Sequence, residues 1–283
     1  MNGAHEHFPG PLAALLISLA AVFTAGIVIA LFGPEPDIGS LGVGEALGFG
    51  LVATLAAQRV PAPQRERLGL RGFESAFVPL LVLLLPVVIV QSELDNILRA
   101  VLPPVEVPEA ARELEEGLAP VTTLDVIQQL IVMVGIAPVV EEWLYRGVIQ
   151  QGLVARLGRL SGVLLTSALF ALGHVSPAVS GTHALSPLLN AFVLGGVLGT
   201  LRLASGSLLA PIVFAAAANA AILAAIGLDE SLPIPGFNAP GDHTPLNVLL
   251  PSVVAVCWAL AIVARRASEA PVALPIPRRD AGE

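Results

Sequence analysis

Ile136-Ala137-Pro138-Val139-Val140-Glu141-Glu142-Trp143-Leu144-Tyr145-Arg146 runs from an unbroken apolar stretch straight into three ionisable side chains. A carboxylate inside or at the edge of a bilayer is costly unless it faces a polar cavity or a partner, so a glutamate pair at this place reads as functional. Further along, Phe170-Ala171-Leu172-Gly173-His174 and then Asn219 each set one polar residue into an apolar segment. Together the three stretches point to a single buried polar site.

Composition fixes the setting of that site. The chain is 55% hydrophobic and 13% charged, with a mean hydropathy of +0.83, against about 25% charged residues in a soluble domain. A membrane span takes roughly 20 apolar residues. Eight candidate spans cover about 11–32, 40–57, 75–91, 124–144, 160–175, 187–203, 207–227 and 247–264. The fold expected is all-α: one polytopic membrane helix bundle of about eight transmembrane helices, with no separate soluble domain. Its parts are 1–119, three spans and an acidic outer loop; 120–227, the segment holding the polar site; and 228–283, the last span and a tail. The leader before the first run has no Lys or Arg, so that run is expected to be a retained span rather than a secretory signal. The sole cysteine, Cys257, lies in the last span and has no intramolecular partner. A net charge of −8 argues against nucleic acid as a partner.

The chain has no lysine, so its arginines orient it. Arg59, Arg65, Arg67 and Arg71 follow span two, Arg146, Arg156 and Arg159 follow span four, Arg202 follows span six, and Arg265, Arg266, Arg278 and Arg279 follow span eight. These fall on one side; the other carries only Arg99 and Arg112 among many acids. By the positive-inside rule both termini are expected in the cytoplasm, with the bacterial inner membrane the expected location.

Helical spacing then gives the polar residues a depth and a direction. If the helix carrying Glu141 continues to a turn near Gly158, Glu141 precedes the turn and His174 follows it by nearly equal lengths. Both then reach one level, roughly 25 Å from the turn at 1.5 Å per residue. Asn219, counted from Gly206, arrives near the same layer, which on the arginine orientation lies toward the outer leaflet. Glu142 and Arg146 are i and i+4 and can pair, while Glu141 points about 100° away. The pair is readable as an interfacial ion pair or as support for the site. A free carboxylate beside an imidazole can take a proton from water, and an amide can donate to a developing oxyanion. The chemistry expected is hydrolysis, with water activated by Glu141 and His174 and Asn219 as the oxyanion donor. No HExxH pair is present, and neither a metal nor a cofactor is expected.

This pattern resembles the CPBP intramembrane glutamic endopeptidases, a family that includes type II CAAX prenyl endopeptidases and bacteriocin-processing and immunity proteins. Glu141-Glu142-x-x-x-Arg146 is similar to its first motif, and Phe170-x-x-x-His174 to its second. Phe192-x-x-Gly195-x-x-x-Gly199 matches the helix that follows, where small residues permit close packing. The resemblance spans roughly 120–227. It implies catalytic Glu141, His174 and Asn219, with Glu142, Arg146 and Phe170 in support, and a membrane protein or lipid-anchored peptide as substrate in the bilayer. The family's last motif, His-x-x-x-Asn, is incomplete: Asn219 is present, but Ala215 takes the histidine's place. Loss of one oxyanion donor typically costs on the order of 10²–10³ in rate.

The expectation is therefore an intramembrane endopeptidase, with activity weakened by Ala215. The alternative is a non-catalytic member that binds a membrane partner. A transporter using Glu141 as a proton site would need inverted repeats or broken helices, and neither is evident. His183, in the loop after the His174 helix, reads either as a substitute donor or as a solvated loop residue. Glu45 in span two is expected to snorkel or face the bundle. Pro108–Glu116 reads as a short acidic loop helix.

Overall fold

The structure is a computed structural model that describes residues 7–33, 37–102, 122–175 and 184–272. His183, Pro108–Glu116, residues 1–6 of the leader, and Arg112, Arg278 and Arg279 lie outside the described residues. Eight apolar helices follow in chain order: α1 (Pro11–Ala30), α2 (Ile38–Ala57), α3 (Ser75–Val101), α4 (Thr123–Leu157), α5 (Arg159–Gly173), α6 (Leu185–Ser205), α7 (Leu209–Gly227) and α8 (Leu246–Glu269). Seven are long and apolar enough to cross a membrane; α5 is the shorter one. The protein is an integral, multi-pass, all-helical membrane protein. Outward faces carry bare apolar side chains such as Leu12, Phe23, Ile27, Val82 and Trp258, as expected of helices solvated by lipid.

Local chemistry sets the helix ends. Asp37 caps α2: its Oδ1 accepts the Ser40 N–H at 2.7 Å while Ser40 Oγ accepts the Asp37 N–H at 3.0 Å, a reciprocal capping box. Thr122 and Asp125 do the same for α4. Gly158, at φ 83°, turns the chain between α4 and α5 in a conformation that favours glycine, which makes the hairpin expected from the sequence.

Two helices run further than their hydropathy indicates. Helix α3 continues to Val101, past the charges Glu93, Asp95 and Arg99, and its charged face finds partners in the loop before α8 and in Ser186 of α6. Glu93 accepts from the Thr244 N–H, from Asn96 Nδ2 and from His243 Nδ1, and Asn96 Nδ2 also reaches the Gly236 carbonyl. Helix α4 continues to Leu157 and lies at the centre of the bundle, against α2, α5, α6 and α7.

α4 is also irregular. Two π-helical stretches, Leu130–Ile136 and Trp143–Ile149, flank the regular turn Ala137–Glu142, and α2 carries a third at Ala46–Leu51. Such segments concentrate at functional sites. Here they bracket the glutamate pair.

Candidate active site

Glu142, Arg146 and Gln150 follow one another at intervals of four on α4 and are buried, with Arg146 and Glu142 essentially sealed. Arg146 Nη1 donates to Glu142 Oε1 at 2.5 Å, and Nη2 donates to the Gly195 carbonyl at 3.1 Å. One turn on, Gln150 Nε2 donates to the Gly199 carbonyl at 2.8 Å. The two glycines explain this contact physically. A Cβ at Gly195 would stand 3.0 Å from Ser167 on α5, and one at Gly199 would stand 2.9 Å from Gln150 Oε1. Only bare backbone brings the α6 carbonyls within reach of the α4 side chains.

Phe170 lies on α5 with its ring under the Arg146 guanidinium, 4.3 Å from centroid to carbon, and edge-on to Tyr145 at 5.2 Å. The cation over the aromatic face is held by the ring quadrupole. Tyr145 in turn bonds Ser18 of α1 at 3.2 Å. The arginine is thus fixed by a carboxylate, a carbonyl and an aromatic ring at once.

Glu141 belongs to a different environment. It points away from that stack, as the helical angle requires, toward His174 at the end of α5. Its Oε1 lies 3.6 Å from His174 Nε2, and both side chains keep some exposure, 18% and 35%. Nδ1 of His174 is 2.9 Å from the Phe170 carbonyl oxygen. A carbonyl only accepts, so Nδ1 carries a proton, and in the neutral imidazole Nε2 turns its lone pair toward Glu141. Two proton acceptors then face each other just beyond direct hydrogen-bond distance, and a proton-bearing molecule beside one has a second base next to it.

Depth follows from the length of α5. Its 15 residues rise about 22 Å, short of the roughly 30 Å hydrocarbon core. A helix of that length that starts at one membrane surface ends short of the other, and His174 is the residue at its end. An end at that depth is tolerated where it is buried in protein or lines a water-filled cavity.

Asn219 on α7 is brought against α4 two turns before Glu141. Its Nδ2 donates to the Met133 carbonyl at 2.7 Å. The reason lies in Pro138: in the π-helical register the donor to Met133 would be residue 138, and proline has no N–H. The amide completes a backbone carbonyl that lipid would leave unpaired. The N–H expected for an oxyanion is engaged there, and the same amide group keeps a second. Ala215, one turn earlier on α7, is buried.

Of the two readings of Glu45 the structure takes the bundle-facing one, and its nearness to Glu141 and His174 is what the sequence did not reveal. Glu45 ends the regular first part of α2, where the π stretch begins, within electrostatic reach of both Glu141 and His174. Its Oε2 is buried without a hydrogen-bond partner. The site therefore has two carboxylates around one imidazole. Gln150 was likewise unread, although its i+4 spacing from Arg146 was a signal. Among the described residues no group of three His, Cys, Asp or Glu side chains is placed to hold a metal ion.

Residues 123–221 match the Rce1-like family model, type II CAAX prenyl endopeptidase Rce1-like. The Rce1-like segment begins at the first residue of α4 and ends just past Asn219, so it holds every motif residue and leaves Glu45 and α8 outside. It suggests a CAAX-type intramembrane protease or a related member. No curated protein matches the chain, and no solved structure matches it.

Proposed function

We propose that the protein is an intramembrane glutamic endopeptidase that hydrolyses a peptide bond near the C-terminus or in the membrane-proximal segment of a protein substrate. The observation that carries this is the opposition of Glu141 Oε1 and His174 Nε2 at 3.6 Å, with both side chains partly exposed. Glu141 takes a proton from water, and the resulting hydroxide adds to the substrate carbonyl carbon. Asn219 donates its second N–H to the oxyanion. The tetrahedral intermediate collapses with C–N cleavage, and the proton returns to the leaving amine through Glu141 or His174. Glu142, Arg146 and Phe170 hold the α4–α5 geometry. The substrate class is a membrane protein or lipid-anchored peptide; nucleic acid is not a partner.

A second reading has its own observation. Ala215 provides no donor where the family pattern has histidine, and one Asn219 N–H already serves Met133. A non-catalytic, partner-binding member fits both. Comparison of C-terminal peptide masses in membranes carrying the wild-type chain or Glu141→Gln separates the two. A product that appears with wild type alone supports the protease, while identical peptide sets support the binding role.

We infer cytoplasmic termini from the arginine bias. In a Cys257→Ala background, Glu230→Cys is expected to react with an impermeant thiol reagent added outside the cell, and Glu66→Cys is not. The reverse pattern inverts the orientation.

A further inference from the structure

A cavity of about 540 Å³ lies at the arginine-rich end of the bundle. Its walls come from the α2–α3 connection, the end of α4, the α6–α7 turn and the end of α8. Five arginines line it, Arg67, Arg71, Arg146, Arg202 and Arg266, against three glutamates, Glu66, Glu74 and Glu269. The buried charges of its lining are all positive. The three glutamates are exposed, whereas Arg67, Arg146 and Arg202 are buried.

Arg146 is matched by Glu142, but Arg202 has no such counter-charge. It is 8% exposed, its Nη2 donates to the Arg67 carbonyl at 2.9 Å, and its Nε has no partner. Among the described residues no carboxylate lies within ion-pair distance of it or of Arg71. Each guanidinium is pressed onto a glycine of the other's segment, Arg202 onto Gly69 and Arg71 onto Gly206. A Cβ at Gly69 would meet the Arg202 guanidinium carbon at 2.5 Å, and one at Gly206 would collide with Arg71 Nη2. Gly69 and Gly206 have φ of 71° and 62°, so both positions favour glycine on conformational grounds as well. Arg71 Nε donates to the Gly206 carbonyl at 2.9 Å, and the Leu208 N–H donates to the Gly69 carbonyl at 2.8 Å. Two like charges are thus fixed side by side at the cavity wall, one of them desolvated. An unpaired buried charge is strongly unfavourable, and planar guanidiniums suit bidentate contact with phosphate oxygens.

We propose that this cavity is an anion site that takes a phosphate group, supplied by the headgroup of an anionic phospholipid. The site lies at a membrane-surface end of the helices, where basic pockets between spans take such headgroups. It is independent of whether Glu141 cuts a peptide, because Glu141 and His174 do not line it.

The test is thermal unfolding of the full chain in neutral detergent, with added phosphatidylglycerol, phosphatidylcholine at the same mole fraction, or inorganic phosphate. Ligand that binds only the folded state raises the midpoint by mass action. Phosphatidylglycerol is expected to raise it by several degrees, phosphatidylcholine is not, and the gain should disappear in Arg71→Ser and persist in Arg265→Ser, outside the cavity. Arg71 is exposed, so its variant reports on the site even if Arg202→Ala fails to fold. Inorganic phosphate giving the full shift would keep the anion site and assign it to a soluble phosphate. Equal shifts in wild type and Arg71→Ser, or no shift with either phosphate probe, would overturn the proposal.

Discussion

Glu141 and Glu142 are neighbours in the chain and opposites in the structure. Glu142 is closed in by a guanidinium that is itself tied to a carbonyl and an aromatic ring. Glu141 faces a half-exposed imidazole at a distance that leaves room for chemistry. The 100° step of the helix sorts the two into different layers. The ion pair sealed in the bundle ties α4 to α6, although Glu142 Oε2 and Arg146 Nε keep no further hydrogen-bond partner, and the more exposed Glu141 and His174 are available to a substrate. The contrast predicts different failures when each layer is altered.

The largest effect is expected in the open layer. Glu141→Gln keeps the shape of the side chain and removes the base, so cleavage should fall by at least about 10²-fold, the usual lower range for a general base. Folded yield and unfolding midpoint should stay near wild type. His174→Ala should lower cleavage similarly. Cleavage at the wild-type rate in Glu141→Gln would remove the enzymatic role of the open layer altogether.

The closed layer should fail by unfolding. Arg146→Ala leaves Glu142 buried without its partner, and breaking a buried pair from one side costs about 3–5 kcal/mol. The unfolding midpoint in detergent is the measurement, and a large drop is expected. Glu142→Leu combined with Arg146→Met should recover much of it, since apolar replacement of both partners is often tolerated. Normal stability of Arg146→Ala would mean that the layer is not the fastening that its geometry indicates.

Legibility in the sequence follows the same division. The eight apolar runs, the hairpin at Gly158 and the i, i+4 ion pair were readable because each depends on spacing within one segment. What was not readable depends on partners brought from far along the chain. Glu93, Asp95 and Arg99 looked like the start of an acidic loop, yet they lie in α3, where Glu93 is met by Thr244 and His243 from a loop about 150 positions later. Glu45 has no motif and reaches the site only because α2 packs on α4. The π turns are likewise invisible to a period of 3.6, although Pro138 marks where a carbonyl must find another donor.

Asn219 is tied to the Met133 carbonyl of α4, outside both layers, and its variants should have intermediate effects. Asn219→Ala leaves the Met133 carbonyl without its donor, at a cost of roughly 0.6–1.7 kcal/mol by the range for hydrogen bonds between membrane helices. If the amide also serves an oxyanion, cleavage falls by up to about 10²–10³, well beyond what the stability change explains. Ala215→His places an imidazole one turn before it. The variant is expected to lose about 1–3 kcal/mol from overpacking a buried position, and to cleave faster if a missing donor limits the wild type. A rise in rate despite lower stability would show that the open layer is an enzyme working with one donor too few.

The smallest effect is expected at a carboxylate that belongs to neither layer. Asp37 caps α2 at the end of the bundle, outside the spans, and its bond from the Ser40 N–H holds its pKa below the ordinary aspartate value. The ionised form is the better acceptor, so the cap is worth most when Asp37 is charged. Its stabilisation is fully present above the unfolded aspartate value, about 3.9, and is lost as pH falls through the lowered folded value. Asp37→Ala should cost about 1 kcal/mol at neutral pH, with the difference from wild type shrinking below about pH 4. Cleavage should not change beyond that, because water already solvates this carboxylate and nothing in the site depends on it. A loss at Asp37 as large as that at Arg146 would break the distinction between charge sealed in the bundle and charge at its rim.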